Sequence, residues 1–464
     1  MSITGLIARA LVGGPSRDSI ASAFSRRLGV PVSVGEARFD LASFLLLRPT
    51  ITLRDVAVGN LLTASRISAR IALLPLAGRR IEIRSILIDT PRIAVESDAR
   101  NGTNIESILK RLSSPPPLPN GSRPAAGPKA ALTLDIDEFR ISGGDVFIFG
   151  EPPQRIGALI LRVRNLSAGT NCPLELSAKL VGQGDSGFRI DGRAGPFGSQ
   201  VLPIRGKLTL TIVPRGLFDV LFRGPGDKAK VVLEASIQGN LYNSVAGPAR
   251  LTLSGLQIGR DAAHTVPIDG DAPALFSVQK PISAPAFHLQ VLRARLKLGP
   301  GEWAGAADFQ IRGQTLSGAS RGSVRGVDVN ALLGSGKIYG VIDMPSYTVR
   351  FAGKTADGTA RLSLKDGRLA MLDQLGAIGQ PFRTLTCDVS LKQDRLDLGA
   401  IVFDSPEFKF TGNGTVGLDR AMHFDLSTTL GDGAEKPLVL EGTLDRPRIA
   451  ARSAPNRARQ QADR

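Results

Sequence analysis

The chain has 464 residues, 42% apolar and 22% charged, a balance that excludes general disorder and allows several ordinary domains or one elongated architecture. Lys and Arg outnumber Asp and Glu by 58 − 42 = +16, a charge that attracts polyanions such as nucleic acid, anionic lipid headgroups or lipopolysaccharide. Aromatic residues make up only 5%, with one Trp and three Tyr and no basic–aromatic interleaving, which argues against a nucleic-acid partner and leaves any core to Leu, Ile, Val and Ala.

Residues 1–29 form an N-terminal helical segment. Ile3 to Val12 is apolar but contains Arg9, and it falls short of the roughly twenty residues that span a bilayer. It also lacks the full charged and apolar regions of a signal peptide. Ser16 to Leu28 is a predicted helix, with Ser16 as N-cap and Ile20, Phe24 and Leu28 recurring on one face. Such a helix serves as a plug at one end of a sheet, or alternatively lies on a membrane surface.

Residues 30–112 read as strands. Val32-Ser33-Val34, Thr50 to Val58, Arg66 to Ile71, Arg80 to Ile88 and Pro91 to Glu96 all alternate apolar with polar. Asn101-Gly102 suits a turn, and Thr103 to Leu112 a short helix. Residues 113–129, with three consecutive Pro, make a linker.

The alternation resumes through a central β region, residues 130–355. Leu132, Leu134 and Ile136 share one face, and so do Leu159, Leu161 and Val163. Leu208, Leu210 and Ile212 follow, then Leu233 with Val231, Ala235 and Ile237. Leu292, Ala294, Leu296 and Leu298 alternate against Arg293, Arg295 and Lys297. Clean one-sided alternation favours antiparallel pairing with one wet face. Short helices are expected at Gly216 to Phe222 and Val327 to Leu333.

Residues 356–450 repeat the theme. Leu362 and Leu364 lead to Asp366-Gly367, and Phe408, Phe410, Phe424, Leu438 and Leu440 continue the apolar side. Asp366-Gly367, Asn413-Gly414 and Asp432-Gly433 are predicted hairpin turns. The basic tail, 451–464, has no apolar period and reads as disordered. The expected fold is therefore mainly β, one long curved antiparallel sheet with a few short helices capping or interrupting it.

An order of short words runs through the N-terminal strands: Gly29-Val30-Pro31-Val32, Arg48-Pro49, Leu53-Arg54-Asp55-Val56, Gly59-Asn60, Leu74-Pro75-Leu76, Ile88-Asp89-Thr90-Pro91 and Asn101-Gly102-Thr103-Asn104. This order resembles the N-terminal module of the AsmA family. Gly367-Arg368-Leu369, Phe410 to Gly414 and Leu440 to Pro447 resemble that family's C-terminal region, while the middle, 195–355, matches only in texture. The resemblance implies a protein of the Gram-negative envelope. It also implies kinship with the larger TamB-type β-grooves, thought to carry phospholipid between the two membranes. Family members usually begin with one transmembrane helix; its lack here implies a start upstream of Met1 or a peripheral member.

The residues suggest no enzyme. Gly318-Ala319-Ser320-Arg321-Gly322 spells a nucleophile elbow but is followed by polar, Gly-rich residues, so a loop is expected. Gly182 to Gly187 and Gly412 to Gly417 spell dinucleotide fingerprints without a helix to follow, and both are expected to be turns. His423 shares a strand face with Asp425, either a general base or a surface pair. Cys172 and Cys387 are far apart, without metal-site spacing, and either pair in an oxidising compartment or sit as two buried hydrophobes. Neither a cofactor nor a metal is expected.

Two functions fit these patterns. In the first, the apolar positions named above line an open trough for acyl chains, and phospholipid or another anionic envelope lipid at a membrane is the partner. In the second, the faces pack shut, and the chain acts as an assembly factor for outer-membrane proteins.

Overall fold

The computed structural model describes residues 16–450 apart from 41–47, 74, 76–79, 99–101, 105–132, 150–153, 168, 183, 197–200, 214–228, 262–263, 281–284, 313–314, 334–337, 354, 371–380, 393–394, 407–408, 418, 430–434 and 444–445. Two helices and twenty-five strands occur among the described residues. The chain opens with α1 (Arg17–Leu28), β1 (Val32–Asp40), β2 (Thr50–Val58), β3 (Leu62–Ala72), β4 (Arg80–Asp89), β5 (Arg92–Asp98) and β6 (Gly102–Thr103). The middle carries β7 (Thr133–Phe149), β8 (Gln154–Ser167), β9 (Cys172–Leu180), β10 (Gly187–Ala194), β11 (Pro203–Ile212), β12 (Lys230–Asn240), β13 (Ser244–Asp261), β14 (His264–Gln279) and β15 (Ala286–Leu298). Then come β16 (Gly301–Arg312), β17 (Thr315–Asp328), α2 (Val329–Leu333), β18 (Ile338–Ala352), β19 (Thr355–Leu369), β20 (Phe382–Lys392) and β21 (Arg395–Asp404). The series closes with β22 (Lys409–Gly417), β23 (Ala421–Thr429), β24 (Glu435–Thr443) and β25 (Arg446–Ala450).

These strands join through their ladders into one long curved sheet. From β7 to β25 each strand pairs with the next, always antiparallel, as the alternation required. The ladder is continuous across the expected boundary at 355, which falls between β18 and β19.

One junction departs from the antiparallel expectation. β4 and β5 run end to end, broken at left-handed Thr90 (φ 44°) and buried Pro91, and both pair with β7 in parallel. Thr90 N–H donates to the Ser142 carbonyl at 2.8 Å, and Asp145 N–H to the Pro91 carbonyl at 2.8 Å, fastening the break to β7. Parallel neighbours need a crossover of a dozen or more residues, and the chain between Asn104 and Thr133 has that length.

The helix at the N-terminal end forms for the reasons the sequence suggests. Ser16 Oγ accepts from Ser19 N–H at 3.3 Å, and Gly29 (φ 68°) ends the helix by donating to the Ser25 carbonyl. Ser25 Oγ then accepts from Val32 N–H at 2.8 Å, holding α1 to β1, the end strand. Ile20 is buried, whereas Phe24 stays 38% exposed. The expected helix at Val327 to Leu333 forms over Val329–Leu333; those at 103–112 and 216–222 fall at least mostly outside the described residues, Gly102–Thr103 being strand. The 113–129 linker, Asp432-Gly433 and the 451–464 tail also lie outside them.

Several expected turns are strand instead. Asp366-Gly367 lies inside β19 and Asn413-Gly414 inside β22, while Gly318 to Gly322 belongs to β17 rather than a loop. In each place a glycine faces a phenylalanine across the ladder: Gly318 pairs with Phe351, Gly367 with Phe382 and Gly414 with Phe424. A methyl group on any of these glycines would collide with the partner ring, so the glycine makes room for the ring.

Candidate functional site: an apolar sheet face

Directly opposed residues in an antiparallel ladder point to the same side, so the registers trace each face strand by strand. One row begins Ala37, Leu53, Ile67, Ile88, Ile141, Leu161. It continues through Leu176, Ile190, Leu208, Ala235, Ala249 and Ala274. It then passes Val291, Ala307, Ser320, Val349 and Gly358, and ends Leu391, Leu396, Val416, Met422. Along this row from β1 to β23 the one polar side chain is that of Ser320.

The opposite face is charged. A row running Arg162, Glu175, Asp191, Lys207, Ser236 is typical of it. Some of its cations meet carboxylates: Arg162 meets Glu138 at 2.6 Å, Arg155 meets Asp145 at 2.7 Å, and Arg84 meets Asp137 at 2.8 Å. Asp191 holds the Arg189 guanidinium above its ordinary value through a 2.6 Å hydrogen bond. Exposed pairs of this kind add at most about 1 kcal/mol each, so they solubilise the face more than they stabilise it.

Most of the apolar positions predicted from sequence come together on the first face. Leu210 opposes Leu233, and Ile212 opposes Val231. Val163 opposes Phe139, Leu159 opposes Gly144, and Ile136 opposes Leu166. Leu296 opposes Trp303, Leu362 opposes Cys387 and Leu364 opposes Leu385. Phe410 opposes Phe403, with ring centroids 5.5 Å apart; Phe424 opposes Leu440, and Leu438 opposes Leu426. Leu134 pairs with Ile81 through its backbone, while Leu132 and Phe408 lie outside the described residues. Leu292 is different: it falls in the register shift between Val291 and Ala294 and is 42% exposed, so Val291 carries the row in its place. Sequence reading found Ala235 but missed Ala37, Ala249, Ala274, Ala307 and Gly358 of the row, because small residues leave little apolar signature.

The face is buried unevenly. Val163, Leu174, Ile237 and Phe276 belong to one buried cluster and are at most 8% exposed. Farther along, Phe309, Val349, Phe351, Leu391 and Leu396 are only half-buried. Among the described residues, α2 is the helix that lies on this face. Val329 packs with Leu364, Phe382, Phe403 and Phe410, while Ala331 packs with Val266, Val324 and Val327. The helix touches β13 and β14 on one side and β17 and β18 on the other. In a flat sheet those pairs would stand roughly 15–20 Å apart, wider than one helix turn, so the sheet must curve around α2.

The lone hydroxyl of the row is satisfied. Ser320 Oγ lies 2.7 Å from Tyr347 Oη, which accepts from Trp303 Nε1–H at 2.5 Å. His423 is an exposed surface group, 3.4 Å from Asp425 and 3.3 Å from Glu441. His288 meets Asp308 at 2.9 Å, a pairing across β15 and β16 that no local spacing announces. Cys172 and Cys387 are both buried and free; burial, with help from Asp388, pushes the Cys387 thiol up to about 11. Among the described residues no three His, Cys, Asp or Glu converge as a metal site, and no helix is long and apolar enough to cross a membrane.

The geometry defines an elongated β protein built from one curved sheet, apolar on one side and charged on the other. The chain matches no protein-family model, no curated protein and no solved structure.

Proposed function

We propose that the chain is a non-enzymatic, AsmA-like protein of the Gram-negative envelope that handles phospholipid or another anionic envelope lipid along its apolar sheet face. The observation that carries this reading is the row from Ala37 to Met422, apolar on every strand it crosses but one. Each acyl-chain methylene laid on such a row gains about 0.8 kcal/mol relative to water. The attraction has no direction, so a bound chain can slide along the strands while its headgroup stays in water. Half-buried Phe309, Val349, Phe351 and Leu391 supply apolar surface still open to such a guest. Transfer between inner and outer membrane, and a contribution to outer-membrane biogenesis, follow from the family resemblance.

Purification of the full chain without detergent, followed by mass spectrometry of an organic extract, tests the reading: phospholipid in near-stoichiometric amount is expected. A lipid-free extract would sink it. The second reading, an assembly factor with a closed core that influences targeting of proteins to the outer membrane, is favoured by the buried cluster of Val163, Leu174, Ile237 and Phe276. It predicts no lipid, and no photocrosslinking of added phospholipid from a probe at residue 351.

A further inference from the structure

On the charged face, β15 to β18 bring several long basic side chains together around one depression. Arg295 on β15 stands directly across from Ala304 on β16, and Arg321 on β17 directly across from Ala306. Arg293 lies in the register shift of β15 beside them. Two alanines on the middle strand thus form a low floor between long basic side chains on both neighbours, and together they enclose a depression of about 790 Å³. Ser346, in the register shift of β18, and exposed Leu292 complete its rim.

None of the three arginine side chains has an ion-pair or hydrogen-bond partner among the described residues, and three carboxylates of these strands are engaged elsewhere. Asp308 meets His288 at 2.9 Å, and Asp343 meets Lys365 at 2.8 Å. Asp328 Oδ1 accepts from the N–H groups of Asn330 and Ala331 in α2. Three guanidinium forks without a protein anion around one depression match the geometry of a phosphate group, which each can bind through two parallel N–H donors.

We propose that Arg293, Arg295 and Arg321 form a binding site for a phosphate-bearing ligand on the charged face. The shared chemistry is the phosphate; a lipid headgroup and a soluble phosphoanion are its two sources, and apolar Leu292 on the rim suits an amphiphile. The site lies on the side opposite the apolar row, so it neither needs nor implies a lipid lying there, and its loss would leave that reading standing.

The test uses the full chain in two arms: flotation with vesicles of equal parts phosphatidylcholine and phosphatidylglycerol, and calorimetric titration with inorganic pyrophosphate. Binding in the vesicle arm alone assigns a headgroup, and binding in the pyrophosphate arm alone assigns a soluble ligand. Either affinity should fall about a hundredfold in R293Q/R295Q/R321Q, at about fivefold per arginine. If circular dichroism shows that this variant has lost its strands, R321Q alone should still lose about fivefold. The variant R155Q/R162Q/R164Q removes the same net charge elsewhere on this face and should bind like the parent chain. The proposal is overturned if the parent chain binds in neither arm, if the control triple loses as much as the site triple, or if an oligonucleotide is bound in preference to both probes.

Discussion

Two parts of one face, β8 to β14 and β16 to β21, share the same alternation and bury it differently. In the first, Ile237 stands across from Gly206 and Phe276 across from Gly247, and both pack with Val163, Leu174 and Leu233 in one buried cluster. Both are buried to 5% exposure or less. In the second, Leu364, Phe382 and Phe403 are buried with Val329 of α2, while Phe309, Val349, Phe351, Leu391 and Leu396 retain solvent contact. The first stretch therefore behaves as a dry core, while the second is dry around α2 and leaves apolar side chains half-exposed elsewhere. A sheet can vary the burial of one face from strand to strand without changing its pattern.

The largest expected effect separates the two stretches outright. Leu233→Asp places a carboxylate where the side chain is 4% exposed, and burying that charge without a partner costs several kcal/mol, enough to lose the folded chain. Leu391→Asp, in the half-buried stretch, should keep its far-UV circular dichroism yet release bound lipid. Unfolding of both variants to the same extent would erase the distinction.

Truncation gives the next measure. Phe276→Ala should destabilise by about 3–5 kcal/mol in urea unfolding, since it leaves a cavity in a packed cluster. Phe351→Ala, half-exposed already, should cost about half of that. Smaller still is Gly367→Ala, expected to cost about 1–3 kcal/mol by forcing the new methyl against the Phe382 ring. A neutral result there would mean that β19 and β20 can part without loss.

The smallest effect concerns acid. Lys365 and the Gly326 N–H hold the Asp343 carboxyl below its ordinary value. A carboxylate depressed in the folded state contributes stability that is fully present above the ordinary carboxylate range and is lost as pH falls through its lowered value. Lys365→Met should therefore lower stability by less than about 1 kcal/mol at neutral pH, a difference from the parent chain that fades as pH falls through the carboxylate range.

The faces were legible in the sequence wherever Leu, Ile or Val recurred at every second position, as in Leu159-Leu161-Val163 and Leu208-Leu210-Ile212. Strand period is a local property of backbone geometry, so the residues alone determine it. The one-sheet architecture followed, and so did the capped helix at Ser16 and the short one near Val329. The proposal of an envelope setting came from words at the two ends, whereas the proposal of lipid handling rests on the apolar row together with that resemblance.

Partnership across strands was not legible. Asn413-Gly414 and Asp366-Gly367 have the composition of turns, and only the register shows that their glycines accommodate phenylalanine rings on the next strand. Nor does any run of residues announce that Arg293, Arg295 and Arg321 meet over two alanines, or that β7 lies parallel to β4 and β5. The sequence by itself determined which residues alternate and hence the two-sidedness of every strand. Which strand lies beside which, how far the sheet bends around α2, and where along its length the apolar side closes were decided by the tertiary structure. These depend on the sum of many contacts between residues distant in the chain, and no local period encodes that sum.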